Sequence, residues 1–104
     1  MVENVTEILT GDITSNEVVD KIFNSLNNDL MDGKKVCIDM SNVTFINVSF
    51  LENLEKFVDK AKELNIEVKI KNVYPNIYKA FHVARDKNIL SVVSWKKTSL
   101  LYKL

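Results

Sequence analysis

Few side chains in this chain have types that do covalent chemistry, and those few are scattered. Cys37 is the only cysteine and His82 the only histidine. They fall in different predicted elements, Cys37 in an apolar strand and His82 beside Phe81 on a helical pattern, so no nucleophile–base pair is in view. One imidazole cannot supply a histidine metal pair, and two glycines are too few for a P-loop or a dinucleotide fingerprint. The reading is therefore a non-enzymatic protein with no cofactor and no metal. Asn47, Val48 and Ser49 fall between a strand ending at Asp39 and an apolar pattern of helical spacing, beside a helix start. Backbone N–H groups at such a helix start are unpaired and favour anionic or polar partners.

The elements that must position these residues follow from periodicity. Val2 to Leu9 alternates weakly and suits a strand near a sheet edge. Gly11-Asp12-Ile13-Thr14 breaks it, and Thr14 with Glu17 has the spacing of a capping box. Val18, Val19, Ile22, Phe23, Leu26 and Leu30 then make one helical stripe, with Gly33 as its stop. Val36-Cys37-Ile38 reads as a central strand covered on both faces, which makes Cys37 a buried structural thiol. Ser49 with Glu52 suggests a second capping box. Leu51, Leu54, Phe57, Val58, Ala61 and Leu64 mark the helix behind it.

Ile66, Val68 and Ile70 alternate with Glu67, Lys69 and Lys71, giving a third strand with one polar face or a place near an edge. Pro75 opens a third helix carrying Ile77, Tyr78, Phe81 and Ala84, where His82 is a partly exposed side chain. Ser91 to Trp95 is read as the last strand, and Thr98 to Leu104 is left as a short helix or a frayed tail. Strands alternating with helices predict an α/β fold with a small, mostly parallel (mixed) sheet of four to five strands and three to four helices. Ligand edges of such sheets lie beyond the strands' carboxyl ends, here the loops at Gly11 to Ser15, Ser41 to Ser49 and Asn72 to Pro75.

Composition narrows the partners. A length of 104 residues suits one domain, residues 1–104, and 46% hydrophobic with 27% charged residues is ordinary for a soluble protein. Fourteen basic and fourteen acidic residues cancel, so no general field draws the chain to nucleic acid, and Lys96-Lys97 reads as a solvated strand end. No run of about 20 apolar residues and no secretory leader is apparent. The expected location is cytoplasmic, without membrane insertion.

Three segments carry a likeness to a known family. Gly11-Asp12-Ile13-Thr14, Asp39-Met40-Ser41-Asn42-Val43-Thr44-Phe45-Ile46 and Ile70-Lys71-Asn72-Val73-Tyr74-Pro75 occur in the order and spacing of STAS domains. The name stands for sulphate transporter and anti-sigma factor antagonist, and the likeness runs from about Glu7 to Val93. The resemblance implies helices mainly on one side of a small mixed sheet, with an extra leading strand that is either missing here or replaced by the few N-terminal residues. It also implies a switch after the second strand, Asp-Ser-Ser-Gly-Leu, whose first serine is phosphorylated in regulatory members. Here Asn47 stands for the acid, Val48 for that serine and Phe50 for the glycine, while Ser49 and Leu51 match.

Valine accepts no phosphoryl group. Ser49 is the remaining acceptor, although helix capping, worth about 1 kcal/mol, is its favoured role. Phe50 either packs inward, which is preferred, or adds to a partner surface. The resemblance implies a bacterial interaction module that binds a regulatory protein, such as an anti-sigma kinase or a transporter ATPase, with a homodimer allowed. Its binding surface would centre on Asp12, Thr14, Asn47, Val48, Ser49 and Glu52 on the outer face of the second helix. Glu52, Glu55 and Asp59 alternate there with Lys56 and Lys60, as a solvated face or as a docking face. Two alternatives are a small-ligand sensor holding a nucleotide or anion at that helix start, and an accessory STAS subunit of a transporter ATPase.

Overall fold

A computed structural model describes residues 3–84 and 87–95, with Trp95 by its backbone alone. The elements run β1 (Asn4–Thr10), α1 (Asn16–Met31), β2 (Lys35–Asn42), α2 (Val48–Glu63), β3 (Val68–Val73), α3 (Pro75–Ala84), α4 (Lys87–Val92) and β4 (Val93–Trp95). The strands lie in the order β1-β2-β3-β4, and each neighbouring pair is parallel. Right-handed crossovers between sequential parallel neighbours carry every connection over the same face. The helices therefore form one layer on one side of the sheet, as the resemblance implied.

That single layer overturns the expectation that β2 is covered on both faces. Val36, Ile38 and Met40 are buried under the helices, while Cys37, Asp39 and Ser41 between them are only half-buried. Cys37 thus sits on the open face of the sheet and not in the core. The core joins Leu9, Ile38, Met40 and Ile70 from the strands to Val19, Phe23 and Leu26 of α1, Phe50, Leu54 and Phe57 of α2, and Phe81 of α3. The ring of Phe23 meets Phe50 at 5.4 Å and Phe57 at 6.1 Å, tilted and edge-on, which keys α1 into α2.

Both long helices stop by one device. After α1, Gly33 N–H donates to the Leu30 carbonyl (2.9 Å) and Lys34 N–H to that of Asp29 (3.1 Å). After α2, Asn65 N–H donates to Lys62 (3.1 Å) and Ile66 N–H to Ala61 (2.9 Å). Each is a Schellman motif, and the residue that must turn left-handed is Gly33 in one (φ 74°) and Asn65 in the other (φ 57°). Gly33 was legible as a stop.

Several boundaries move. β1 begins at Asn4, and Val2 lies outside the described residues; β1 is an edge strand as expected. β3 starts at Val68, because the Ile66 N–H is spent closing α2, and runs on through Asn72. Its polar face is borne out: Lys69 is exposed and Lys71 half-buried, although the strand is internal to the sheet. Ser91 and Val92 close the short helix α4, which buries Ile89 and leaves β4 only Val93 to Trp95. Lys96, Lys97 and the segment from Thr98 to Leu104 lie outside the described residues.

One acidic contact crosses the layers. Glu7 of β1 points to the helix side, where Ser25 Oγ donates to its Oε2 at 2.7 Å. Asp29, one helical turn beyond Ser25, lies beside Glu7, and its Oδ2 is buried without a partner among the described residues. Burial first, then the contact with Glu7, raises the Asp29 carboxyl above its ordinary value of 3.8, with Lys34 opposing and Asp32 adding. A carboxyl raised in the folded state contributes stability at low pH that is lost as pH rises through its folded value. Asp29→Asn supplies a permanent amide donor to Glu7. It is expected to raise the urea midpoint at pH 7 and to flatten its fall as pH rises above the ordinary carboxylate range; equal slopes for the two proteins would refute the role given to Asp29.

Candidate functional site

The carboxyl ends of β1, β2 and β3 bring three loops together at one edge of the sheet. Gly11, with φ 80°, turns the chain off β1 and donates its N–H to the Asn42 carbonyl at 3.2 Å. Ile13 N–H donates to the Phe45 carbonyl at 2.9 Å, and Ile13 pairs with Ile46 in a short parallel bridge. This bridge holds Ile13 and Thr14 extended, so α1 starts one residue later than the capping-box spacing suggested. Ser15, at φ −124° and ψ 148°, is the N-cap, and its Oγ accepts from Val18 N–H at 3.3 Å. Thr14 stands outside the helix, exposed.

Asp12 ties the two loops by its side chain. Its Oδ1 accepts from Thr44 Oγ1 at 2.6 Å and from Thr44 N–H at 3.2 Å. On the other side Asn76, in the first turn of α3, donates its Nδ2 to the Thr44 carbonyl at 2.8 Å. The β2–α2 loop is thus clasped at one residue from both neighbouring loops. Beneath it, Asp39 Oδ1 accepts from Ser41 N–H at 2.9 Å and from Asn72 Nδ2 at 3.2 Å. Asn72 reaches this position from a left-handed backbone, φ 62°, which asparagine tolerates better than most residues. Burial by itself would raise the Asp39 carboxyl. The hydrogen bonds from Ser41 and Asn72, with the charge of Lys71, outweigh it and hold the group below its ordinary value of 3.8.

The start of α2 corrects the second capping box. Asn47, at φ −92° and ψ 171°, is the cap, and its Oδ1 accepts from Phe50 N–H at 2.8 Å. Ser49 lies inside the first turn, half-buried, and its carbonyl accepts from Asn53 Nδ2 at 2.8 Å. The asparagine, placed where the backbone is still extended, takes the cap over a serine already in the helix. Phe50 turns inward and is fully buried. Val48 is 70% exposed and Phe45 50%, two apolar side chains standing clear of a loop whose backbone is pinned. Glu52 is exposed one turn further along α2.

Of the residues expected to form a site, Asp12, Thr14, Asn47, Val48, Ser49 and Glu52 all lie on this edge or on the first turns of α2. Two of them, Asp12 and Asn47, spend side-chain oxygens on internal bonds. Thr44, Phe45 and Asn76 were missed. For Phe45 a signal existed: Val43, Phe45, Ile46 and Val48 are four apolar residues in a loop that can turn only some of them inward. For Asn76 there was none. His82 is exposed and stacks against Tyr78 at 4.7 Å between ring centres, a contact within α3. Among the described residues no group of three or more His, Cys, Asp or Glu is placed to hold a metal ion, and no helix is long and apolar enough to cross a membrane.

A family model of the STAS domain matches residues 9–94. Solved structures with this fold include the Bacillus cell fate determinant SpoIIAA in its phosphorylated form (12% identity, 99% of this chain and 92% of that one, TM-score 0.72). The murine anion transporter Solute Carrier 26 family member A9, in its inward-facing state, matches at 15% identity over 98% of this chain and 18% of its own length, TM-score 0.68. A sulfate transporter family protein from Wolinella succinogenes matches at 17% identity over 93% and 83% of the two chains, TM-score 0.64. No curated protein sequence gives a significant match. With the fold, the loop order and the family match in agreement, this chain belongs to the STAS domain family.

Proposed function

We propose that the chain is a non-enzymatic, cytoplasmic docking module that binds a regulatory protein through the β2–α2 edge. The observation that carries this reading is a pair of exposed apolar side chains, Phe45 on a loop held by Asp12 and Asn76 and Val48 directly after it at the start of α2. A preordered loop loses little conformational freedom on binding, so contacts made there convert more fully into affinity. Val48 occupies the position that the family resemblance gives to the phosphorylated serine. Docking at this edge is then constitutive with respect to a kinase directed at that position.

The anion- or nucleotide-sensor reading is weaker. The Phe50 N–H is already taken by Asn47, and neither the cap nor the first turn of α2 carries a basic residue. A second reading keeps the same edge but makes the partner a transporter ATPase, since two of the similar structures are transporters. The product of a neighbouring gene, a histidine-kinase-like ATPase or an ABC-type ATPase, discriminates between these partners in a pull-down.

Two outcomes follow. Incubation of the wild type with ATP and a cognate serine kinase is expected to leave the β2–α2 loop unmodified by mass spectrometry, while Val48→Ser becomes an acceptor. Phosphate on Ser49 of the wild type, with loss of partner binding, would sink the constitutive reading. Asp12→Ala is expected to speed hydrogen exchange at the Ile13 amide by about tenfold and to weaken partner binding without unfolding the core. Unchanged exchange would show that the clasp does not order the loop.

A further inference from the structure

A second surface lies at the far end of α2. Between α1 and α2 runs a groove of about 440 Å³ floored by Leu30 and Phe57, and it opens into a wider recess of about 710 Å³ around Leu64 at the foot of the sheet. Met31, 83% exposed, and Leu64, 46% exposed, stand at its mouth. On α2 the lining runs from Asn53 to Leu64, about 16 Å or three helical turns. Val48 is about 24 Å from Leu64 along the helix, so this groove is separate from the docking edge.

Charge is arranged along one rim. Lys56 and Lys60, one turn apart on α2, both line the groove, both are exposed, and neither has an ion pair among the described residues. Other lysines nearby are engaged: Lys35 with Glu67 at 3.3 Å, Lys34 with Glu3 at 3.9 Å, and Lys62 with Asn88 at 3.0 Å. The acid that lines the recess, Glu67, is bound by Lys35 and Lys69. The groove therefore presents an apolar floor, two lysines on its rim and no acidic residue among the described residues of its lining.

We propose that the α1–α2 groove receives an amphipathic helical segment of a partner protein, with its apolar face on Leu30, Met31, Phe57 and Leu64 and acidic side chains against Lys56 and Lys60. A helix laid between two helices fits the groove's length, and anchors at i, i+3 or i+4 and i+7 fall on successive turns along it. The acidic flank follows from the two lysines that line the groove without an ion pair or a lining acid among the described residues, since charge complementarity sets which helix is accepted more than how tightly.

The test uses two fluorescein-labelled 15-residue helical peptides that share a leucine face and differ only in glutamate or lysine flanks. Anisotropy titrations are expected to show the glutamate peptide binding about tenfold more tightly than its lysine twin. The Lys56→Glu/Lys60→Glu double variant, with its circular dichroism melt checked against wild type, should invert that order. Methyl NMR should move Met31 and leave Val48 in place, and Met31→Asp should abolish binding of both peptides. The proposal is overturned by equal affinities, by the absence of inversion, by no binding up to millimolar peptide, or by shifts at Val48 in place of Met31. It is also overturned if Met31 shifts on concentrating the protein alone, which makes the occupant a second copy. Capture by phosphatidylglycerol vesicles that depends on Lys56 and Lys60, with neither peptide bound, assigns the rim to a lipid surface and overturns it as well.

Discussion

The handedness of three successive crossovers governs where everything else in this molecule can be. Four strands that pair only with their sequence neighbours, all parallel, leave each connecting segment the same route back, over one face and from the carboxyl edge to the amino edge. Every βα loop therefore emerges at one edge, and α1 and α2 are forced side by side. Asp12 and Thr44 come from two loops and Asn76 from the first turn of α3, yet they meet because the topology permits no other edge for them. The same constraint leaves one face of the sheet without a helix among the described residues, and that is why Cys37 and Asp39 are half-exposed while Ile38 between them is fully buried.

Much of this was legible wherever a pattern repeated. The stripes of α1 and α2 extend over four turns, and a burial pattern that long cannot be satisfied by another element type. Asp39 through Ile46 located the edge because the residues between a strand and a helix are few and each has a steric task. The caps were misassigned by one and two residues for a physical reason: capping depends on where the extended backbone ends. Here a tertiary bridge, Ile13 to Ile46, sets that point for α1. Thr14 and Ser49 have the right chemistry in the wrong backbone state. The run from Ser91 to Trp95 misled in the same way, since two of its residues close a helix over Ile89 that shields the end of the sheet.

Clasping a loop costs conformational entropy that packing must offset, and here the offset comes from polar bonds at exposed residues. Such bonds are worth little each, because water competes for the same groups. Their value is geometric. Thr44 is held at its N–H, its hydroxyl and its carbonyl, so the chain has few ways to rotate Phe45 and Val48 inward. Two apolar side chains kept in water by such bonding are not explained by the needs of the core, which Ile13, Val43 and Phe50 already fill at this end. They are the side chains on which the docking edge proposed above rests.

Helix α2 connects this edge to the groove at its other end, and its construction bears on whether the two can communicate. Asn47 fixes its first turn and the Asn65 motif fixes its last, while Phe50 and Phe57 lock against a single ring, Phe23 of α1. An interlocked aromatic contact is intolerant of small sliding motions, because close-packed interiors move between discrete arrangements and do not deform continuously. The α1–α2 pair therefore behaves as one rigid layer. Occupying the groove would leave the angle of Val48 to the loop unchanged, and the two surfaces would act additively, each with its own partner or with two parts of the same one.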